Sequence, residues 1–301
     1  MRGIILAFIA PTVSLGAAMQ DFSVQLKTGE GGRLDQCLSA HSGVSRRRVR
    51  KAIDEGGVYI NRKRCRTAGR ALRGGELLRM VILEHEQLTP FAPEQLLWQQ
   101  DDLYLIHKRS GQYAQAALHR SKGTLPDELA RHLDLPTTAS ISPVHRLDRG
   151  TSGLMLLTSS ATCLQHMQAR WAQDVKKSYL GVITTVPTWQ DQRVSSAISR
   201  RRDGLGRYHI DPAGRACDSE FHRQATTEQR ALLQLVPHTG RSHQLRVHLA
   251  SLGCPLLGDT RYGGAAAPRM MLHAHRLAFP LPHSNHIQQW EVAPEDDWLW
   301  P

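Results

Sequence analysis

The sequence predicts an α+β protein of two domains, a small basic one followed by a larger one built on a mixed, largely antiparallel sheet. Three observations carry this expectation. At 301 residues the chain exceeds one average domain, and 41% hydrophobic residues are enough to bury a core. Apolar strand-like runs recur with helical patterns between them through the later two thirds of the chain. The charge is uneven: of a net +11, a net +9 lies between Arg33 and Arg79, where thirteen Lys/Arg stand against four Asp/Glu. Such a local excess suits a polyanion, since neutralised phosphates release counterions. A solvated basic face is the alternative reading.

Residues 1–20 form an apolar extension that superficially looks like a signal peptide, too short to cross a membrane. Met19 begins a domain-like pattern, so a mis-assigned start is favoured over secretion. The small basic domain is assigned to 21–84. There Leu34 and Leu38 lie four apart on one helical face. Ser45 is a plausible N-cap for a second helix, with Val49 and Ile53 facing inward and the arginines outward. Gly56-Gly57 ends that helix and Val58-Tyr59-Ile60 reads as a strand. Residues 85–95 contain Pro90 and Pro93 and lack periodicity, which marks a linker.

The larger domain is assigned to 96–301. Strands are expected over 103–108, 153–158, 179–184, 231–236 and near Trp290, and a helix over Gln244–Leu252 with Leu245, Leu249 and Leu252 on one stripe. No repeat or low-complexity tract is present. The five cysteines are odd in number and form no Cys-x-x-Cys pair, which points to reduced thiols of a cytosol and away from a disulfide framework or zinc knuckle. His243 and His248, and likewise His283 and His286, lack the acidic or thiol companions of a metal site. A P-loop and a Gly-x-Gly-x-x-Gly are also missing, which argues against a nucleotide-driven synthetase.

The most informative run is His145-Arg146-Leu147-Asp148-Arg149-Gly150-Thr151-Ser152-Gly153-Leu154. A lone Asp in a turn is usually a cap. Here two arginines would keep the carboxylate ionised and two glycines would let a ligand approach closely. Further along come Lys177-Ser178-Tyr179-Leu180, Thr239-Gly240-Arg241-Ser242-His243-Gln244-Leu245-Arg246-Val247-His248, Gly253 to Tyr262, and Leu272-His273-Ala274-His275-Arg276-Leu277. In this order and spacing the segments resemble RluA-type pseudouridine synthases, over about Leu96 to Pro294 and more closely than the related RsuA type. The N-terminal helices, Gly stop and strand look like the ribosomal-protein S-four type of RNA-binding domain.

The resemblance implies an isomerase that converts specific uridines of structured RNA to pseudouridine without metal or cofactor. Asp148 would be the nucleophile, with attack on the anomeric carbon or on carbon six left open. It implies that Arg241 pairs with Asp148, arginine's fork suiting a carboxylate better than lysine. Arg246 is the alternative, which helical spacing would turn toward another surface. Tyr179 would stack on the target base and assist proton transfer, and Leu272 would pack beneath it. Arg146 would insert where the extruded base had stood, extrusion costing a few kcal/mol. His145 is taken as structural.

The run Lys108-Arg109-Ser110-Gly111 departs from the family's commoner Lys-Pro-x-Gly, which leaves its contact with the active site open. In the basic domain Arg46, Arg47, Arg48, Arg50, Lys51, Arg62, Lys63 and Arg64 are expected to contact phosphates, which position an RNA without reading its sequence. By analogy large-subunit ribosomal RNA is expected over tRNA, and the chain is expected to act as a monomer in a bacterial cytoplasm, away from membranes. An inactive RNA-binding adaptor is the competing reading, against which intact Asp148, Tyr179 and Arg241 argue.

Overall fold

A computed structural model describes residues 19–84, 86–136, 140–282, 284 and 286–300. The apolar run before Met19 and His283 lie outside the described residues. Two compact units emerge.

The first unit takes in residues up to Leu88 together with Gln115–Glu128. Its elements are β1 (Met19–Gln25), β2 (Gly32–Arg33), α1 (Leu34–Ser42), α2 (Arg46–Glu55), β3 (Val58–Ile60), β4 (Lys63–Arg64), β5 (Ala71–Leu72) and β6 (Leu77–Leu83). β1 therefore includes Met19 and Gln20, which the sequence reading left in the extension. An antiparallel sheet runs β1-β6-β3-β4, and β2 pairs with β5. Ser45 caps α2, its hydroxyl accepting from Arg48 N–H at 3.4 Å, and Gly56 ends the helix at φ 90°. The apolar stripes of both helices, Leu34, Leu38, Val49, Ala52 and Ile53, close on Val58, Leu78 and Met80.

Residues 115–128 join this unit through specific bonds. Tyr59 donates its hydroxyl to Leu118 O at 2.8 Å, and Arg64 Nη2 donates to Ala117 O at 2.7 Å. Arg120, only 6% exposed, sits between Glu55 at 3.2 Å and Glu86 at 2.8 Å. A buried guanidinium needs its carboxylates, and these lie in the first unit. The linker expected over 85–95 coincides with just the first of three places where the chain passes between units.

The second unit holds 89–114 and 129–301. Its strands are β7 (Leu96–Gln100), β8 (Leu103–Lys108), β9 (Ser142–Pro143), β10 (Ser152–Thr158), β11 (Lys176–Ile183), β12 (Asp191–Ser195), β13 (Asp218–Thr226), β14 (Ala231–Pro237), β15 (Leu272–Pro280) and β16 (Ile287–Glu291). The helix α3 (Leu125–His132) spans the last crossing, and α4 (Ala161–Asp174) and α5 (Gln244–Ser251) follow. The sheet order is β12-β13-β14-β11-β15-β10-β8-β7, with β16 on β15 and β9 on β10. All pairings but one are antiparallel among the described strands, the exception being β10 beside β15 through Ser152↔His273 and Gly153↔Ala274.

That parallel pair needs Gly153. Its φ is +111°, and a Cβ there would lie 2.3 Å from Ala274 O. The close approach brings the turn before β10 beside the start of β15. Both neighbouring central strands are buried on each face, which is why β8 and β10 read as continuous apolar runs. Cys163 and Met167 of α4 cover Leu103, Leu105, Leu154 and Leu156. No helix among the described residues is long and apolar enough to cross a membrane.

Candidate active site

The turn that carries Asp148 is fixed by its own carbonyl groups. Lys108, wholly buried at the end of β8, donates from Nζ to Arg149 O at 3.0 Å, Thr151 O at 2.6 Å and Arg109 O at 3.1 Å. Thr151 N–H closes the turn on Asp148 O at 3.0 Å. Gly111 N–H reaches Arg149 O at 2.8 Å, and Ser110 Oγ reaches Gly150 O at 3.0 Å. The run 108–111 thus touches the Asp148 turn despite lacking the proline. Burial pushes the Lys108 ammonium down to about 7.

With its backbone held, the turn projects the Asp148 side chain toward α5. Gln244 organises the start of that helix: Oε1 accepts from Arg241 N–H at 3.0 Å and from Thr239 Oγ at 2.7 Å, while Nε2 donates to Asp218 O at 2.8 Å. His243, before it, adopts a left-handed φ of 57°. The helix therefore begins after Arg241, and Arg246 lies in its first turn. Arg246 Nη1 donates to Asp148 Oδ2 at 2.8 Å. Its Nε and Nη2 grip Asp259 at 2.7 and 2.8 Å, and its guanidinium lies 4.9 Å over the Tyr262 ring. The pairing expected for Arg241 belongs to Arg246. Arg241 is exposed, its Nε 3.4 Å from Ala216 O. The expected helix does begin at Gln244, but its first turn directs Arg246 toward Asp148 and not toward another surface.

Burial alone would raise Asp148, but His243 and the guanidinium of Arg246 beside it outweigh that and hold it below the ordinary carboxylate range. Burial also opposes the charge on Arg246, yet Asp259 and Asp148 leave it more firmly protonated than usual. Tyr179, on β11, is raised well above the usual phenol by burial and by Asp148, so its hydroxyl stays protonated. His243, its side chain 7% exposed, is pushed down to about 3 by burial. Its Nε2 is 3.8 Å from Asp148 Oδ2.

Asp148, Tyr179, Leu272, Arg146, Arg241, His243 and Arg246 line one cavity of about 330 Å³. It holds apolar wall, a protonated phenol and an ionised carboxylate together, the composition of a site for a small planar polar group. Arg146 is exposed and, among the described residues, forms no ion pair, although its charge helps hold Asp148 down. His145 instead supports the wall, accepting Leu156 N–H on Nε2 at 3.0 Å and stacking on Trp171 at 4.4 Å.

A second cluster, His107, His273 and Glu295, brings three ligand atoms together. His273 donates Nε2–H to Val292 O at 3.0 Å and turns Nδ1 to Ser152 Oγ at 2.8 Å, while Arg269 pairs with Glu295 at 2.7 Å. The imidazole is spent and the carboxylate already has its cation, which disfavours a metal there.

The basic residues of the first unit divide into two groups. Arg33, Arg46 and Arg50 all bond to Asp35. That carboxylate is fully buried, and Arg33 first, then Arg50 and Arg46, hold it far below the usual carboxylate range. Arg48 pairs with Glu84, Lys51 stands 3.9 Å from Glu55, and Arg64 is spent on Gly56 O and Ala117 O. Arg47, Arg62 and Lys63 are exposed and have no acidic partner among the described residues.

Sequence reasoning missed four contributors: Lys108, His243, Asp259 and Tyr262. Each stands inside a segment already singled out, but as a departure, a weak metal ligand or a connecting stretch. The Asp259 carboxylate three residues from an aromatic ring, shortly after an arginine-bearing helix, was the available signal.

The sequence profile of the RNA pseudouridylate synthase family matches residues 102–251, and that of the S4 domain matches 32–78. An uncharacterized RNA pseudouridine synthase of Chlorobaculum parvum is 30% identical over 262 residues, 79% of this chain and 77% of that one. Ribosomal large subunit pseudouridine synthase C of Vibrio parahaemolyticus is 27% identical over 281 residues, 85% of this chain and 87% of that one. Among solved structures, human RNA pseudouridylate synthase domain containing 1 is similar in fold, with a TM-score of 0.57 at 22% identity over 69% of this chain and 86% of that one.

Proposed function

We propose, for a chain that belongs to the RluA family of RNA pseudouridine synthases and is thus an isomerase acting on RNA, that Asp148 is the nucleophile of the reaction and large-subunit ribosomal RNA its substrate. The observation that carries the first part is the ionised Asp148 at the end of a cavity shared with a protonated Tyr179 and the apolar Leu272. Isomerisation must detach uracil, turn it and rejoin it through carbon five. A carboxylate lone pair can open that sequence at the anomeric carbon or at carbon six, in either case driving an electron pair onto the uracil ring with no oxidant or reductant. Tyr179 offers a stacking face and a hydroxyl that does not ionise, and Leu272 an apolar surface for the turning base. Arg146, exposed and with no ion pair within bonding distance among the described residues, suits the place vacated by an extruded base.

The S4 domain supplies RNA affinity. Arg33, Arg46 and Arg50 share one carboxylate and remain roughly half exposed, at 47%, 43% and 52%, so Asp35 orients the three without cancelling them. Together with Arg47, Arg62 and Lys63 they form a surface for phosphates. Arg48, Lys51 and Arg64 contribute less, each having a partner of its own.

Support for ribosomal RNA comes from the Vibrio relative, whose name assigns it to the large ribosomal subunit. Mapping pseudouridines in total RNA from cells with and without this gene tests it. Sites lost from large-subunit RNA support the reading, and losses confined to tRNA overturn it.

A further inference from the structure

His243 has three geometric properties that a residue merely filling space would not combine. It adopts φ 57° without being glycine, a backbone state that is tolerated where the surroundings enforce it. Its imidazole is edge-on to two tyrosines, Tyr208 at 5.2 Å and Tyr262 at 5.7 Å. Its two nitrogens face opposite ways, Nδ1 toward the Tyr262 hydroxyl at 2.8 Å and Nε2 toward Asp148 Oδ2 at 3.8 Å.

The proton on the ring can be located from these contacts. Tyr262 Oη accepts the backbone N–H of Tyr208 at 3.0 Å, which leaves its own proton to donate to Nδ1. The other tautomer would turn a bare Nε2 lone pair toward a carboxylate, which is repulsive. A neutral imidazole with its proton on Nε2 satisfies both ends.

Arg246 Nη1 meets the same oxygen of Asp148 from α5. Oδ2 is therefore approached from two sides by N–H groups, and no bond to Oδ1 is present among the described residues. We propose that His243 is a positioning residue: its Nε2–H, oriented by Tyr262, acts with Arg246 on Oδ2 of Asp148 and leaves Oδ1 as the oxygen that attacks the uridine. At 3.8 Å the N–H acts as an oriented dipole on the carboxylate, and contacts of this kind shorten when substrate fills a site. In the attack an Oδ1 lone pair forms the new carbon–oxygen bond and the displaced electron pair passes to the uracil ring. His243 gains and loses no proton in this step. The inference rests on Asp148 being the nucleophile.

The charged and titratable groups around this pair are few. Asp148 is acted on by Arg246, Arg146, Lys108 and Tyr179 besides His243. Around His243 stand Arg246, Arg202 and Arg261, together with Tyr208 and Tyr262. Asp148 is the one carboxylate among these groups, so movement of an acidic limb in a His243 variant reports on it.

The test uses the full chain and RNA from cells lacking the gene, with tritium at carbon five of uridine. His243→Leu removes the donor; His243→Asn keeps an N–H donor and tolerates the left-handed backbone; Tyr262→Phe leaves the imidazole in place with its tautomer unfixed. We expect His243→Leu to lower kcat by roughly 10- to 100-fold, the range seen when a group orienting a reacting side chain is lost. KM for RNA should hold and the acidic limb of kcat should move to higher pH. His243→Asn should recover part of the rate, and Tyr262→Phe should shift kcat and the limb in the same direction by less. Wild-type kcat with an unmoved limb in His243→Leu overturns the inference, as does a loss confined to KM. If His243→Leu does not fold, an unchanged limb in Tyr262→Phe overturns it. Absence of tritium release by the wild-type chain would instead count against the function proposed above.

Discussion

Arg246 Nη1 stands 2.8 Å from Asp148 Oδ2 while its remaining donors hold Asp259, so one guanidinium ties the candidate nucleophile to a second buried carboxylate. Removing it would leave Asp148 in a desolvated site without its cation. Arg246→Ala should therefore raise the pKa of Asp148 and move the acidic limb of the rate to higher pH. Because the pKa is depressed in the folded state, the associated stability is present above the unfolded carboxylate value and is lost as pH falls through the folded one. The variant should lose that contribution and about 3–5 kcal/mol of stability at neutral pH, the usual cost of stranding a buried charge. Denaturant unfolding and a pH–rate series check both.

Arg241→Ala should behave differently. Its side chain is exposed and contacts Ala216 O at 3.4 Å, not Asp148. Stability should change by less than about 0.5 kcal/mol, as for surface substitutions generally, and the acidic limb should stay in place. An upward move of that limb comparable to that of Arg246→Ala would return the pairing role to Arg241.

Lys108 places an ammonium wholly inside the second unit, with its pKa brought from its ordinary value down to about 7 by burial. Between that value and the unfolded one, the unfolded chain binds more protons, so this group makes stability rise with pH. Lys108→Met should remove a slope of up to ~1.4 kcal/mol per pH unit from the window between about pH 7 and pH 10. The same variant leaves the carbonyls of Arg149 and Thr151 without their donor and should lower kcat. Equal slopes for the two proteins would show that burial does not depress Lys108 in the folded chain.

In the first unit, Arg47, Arg62 and Lys63 are the cations of the predicted phosphate set with neither an acidic nor a carbonyl partner for their side chains among the described residues. Replacing all three by Gln should weaken binding of unrelated RNAs alike. The slope of log affinity against log salt should flatten by roughly 0.7 to 0.9 for each phosphate that is no longer neutralised. An unchanged slope would mean that these side chains are solvated surface.

Much of this was legible in the sequence because local chemistry set it. Ser45 before a helix, Gly56 after it and the alternation around Val58 announce their elements wherever the chain lies. The apolar runs of β8 and β10 and the Asp148 turn are equally local. What stayed hidden depends on distance along the chain. Arg246 and Asp148 are separated by 98 residues, and although the expected helix already began at Gln244, which arginine meets Asp148 is set by tertiary packing. Gln244 also bonds back to Thr239 and Asp218, contacts that no periodicity records. Likewise Arg120 reads as part of the later domain until Glu55 and Glu86 are seen around it.

The central claim is that Asp148 is the nucleophile, and Asp148→Asn tests it most directly because the amide keeps the size of the side chain and removes its charge. On tritiated RNA from cells lacking the gene, the wild-type chain should release tritium from uridine while the variant releases none yet still binds the RNA. Release by Asp148→Asn at the wild-type rate would contradict the account.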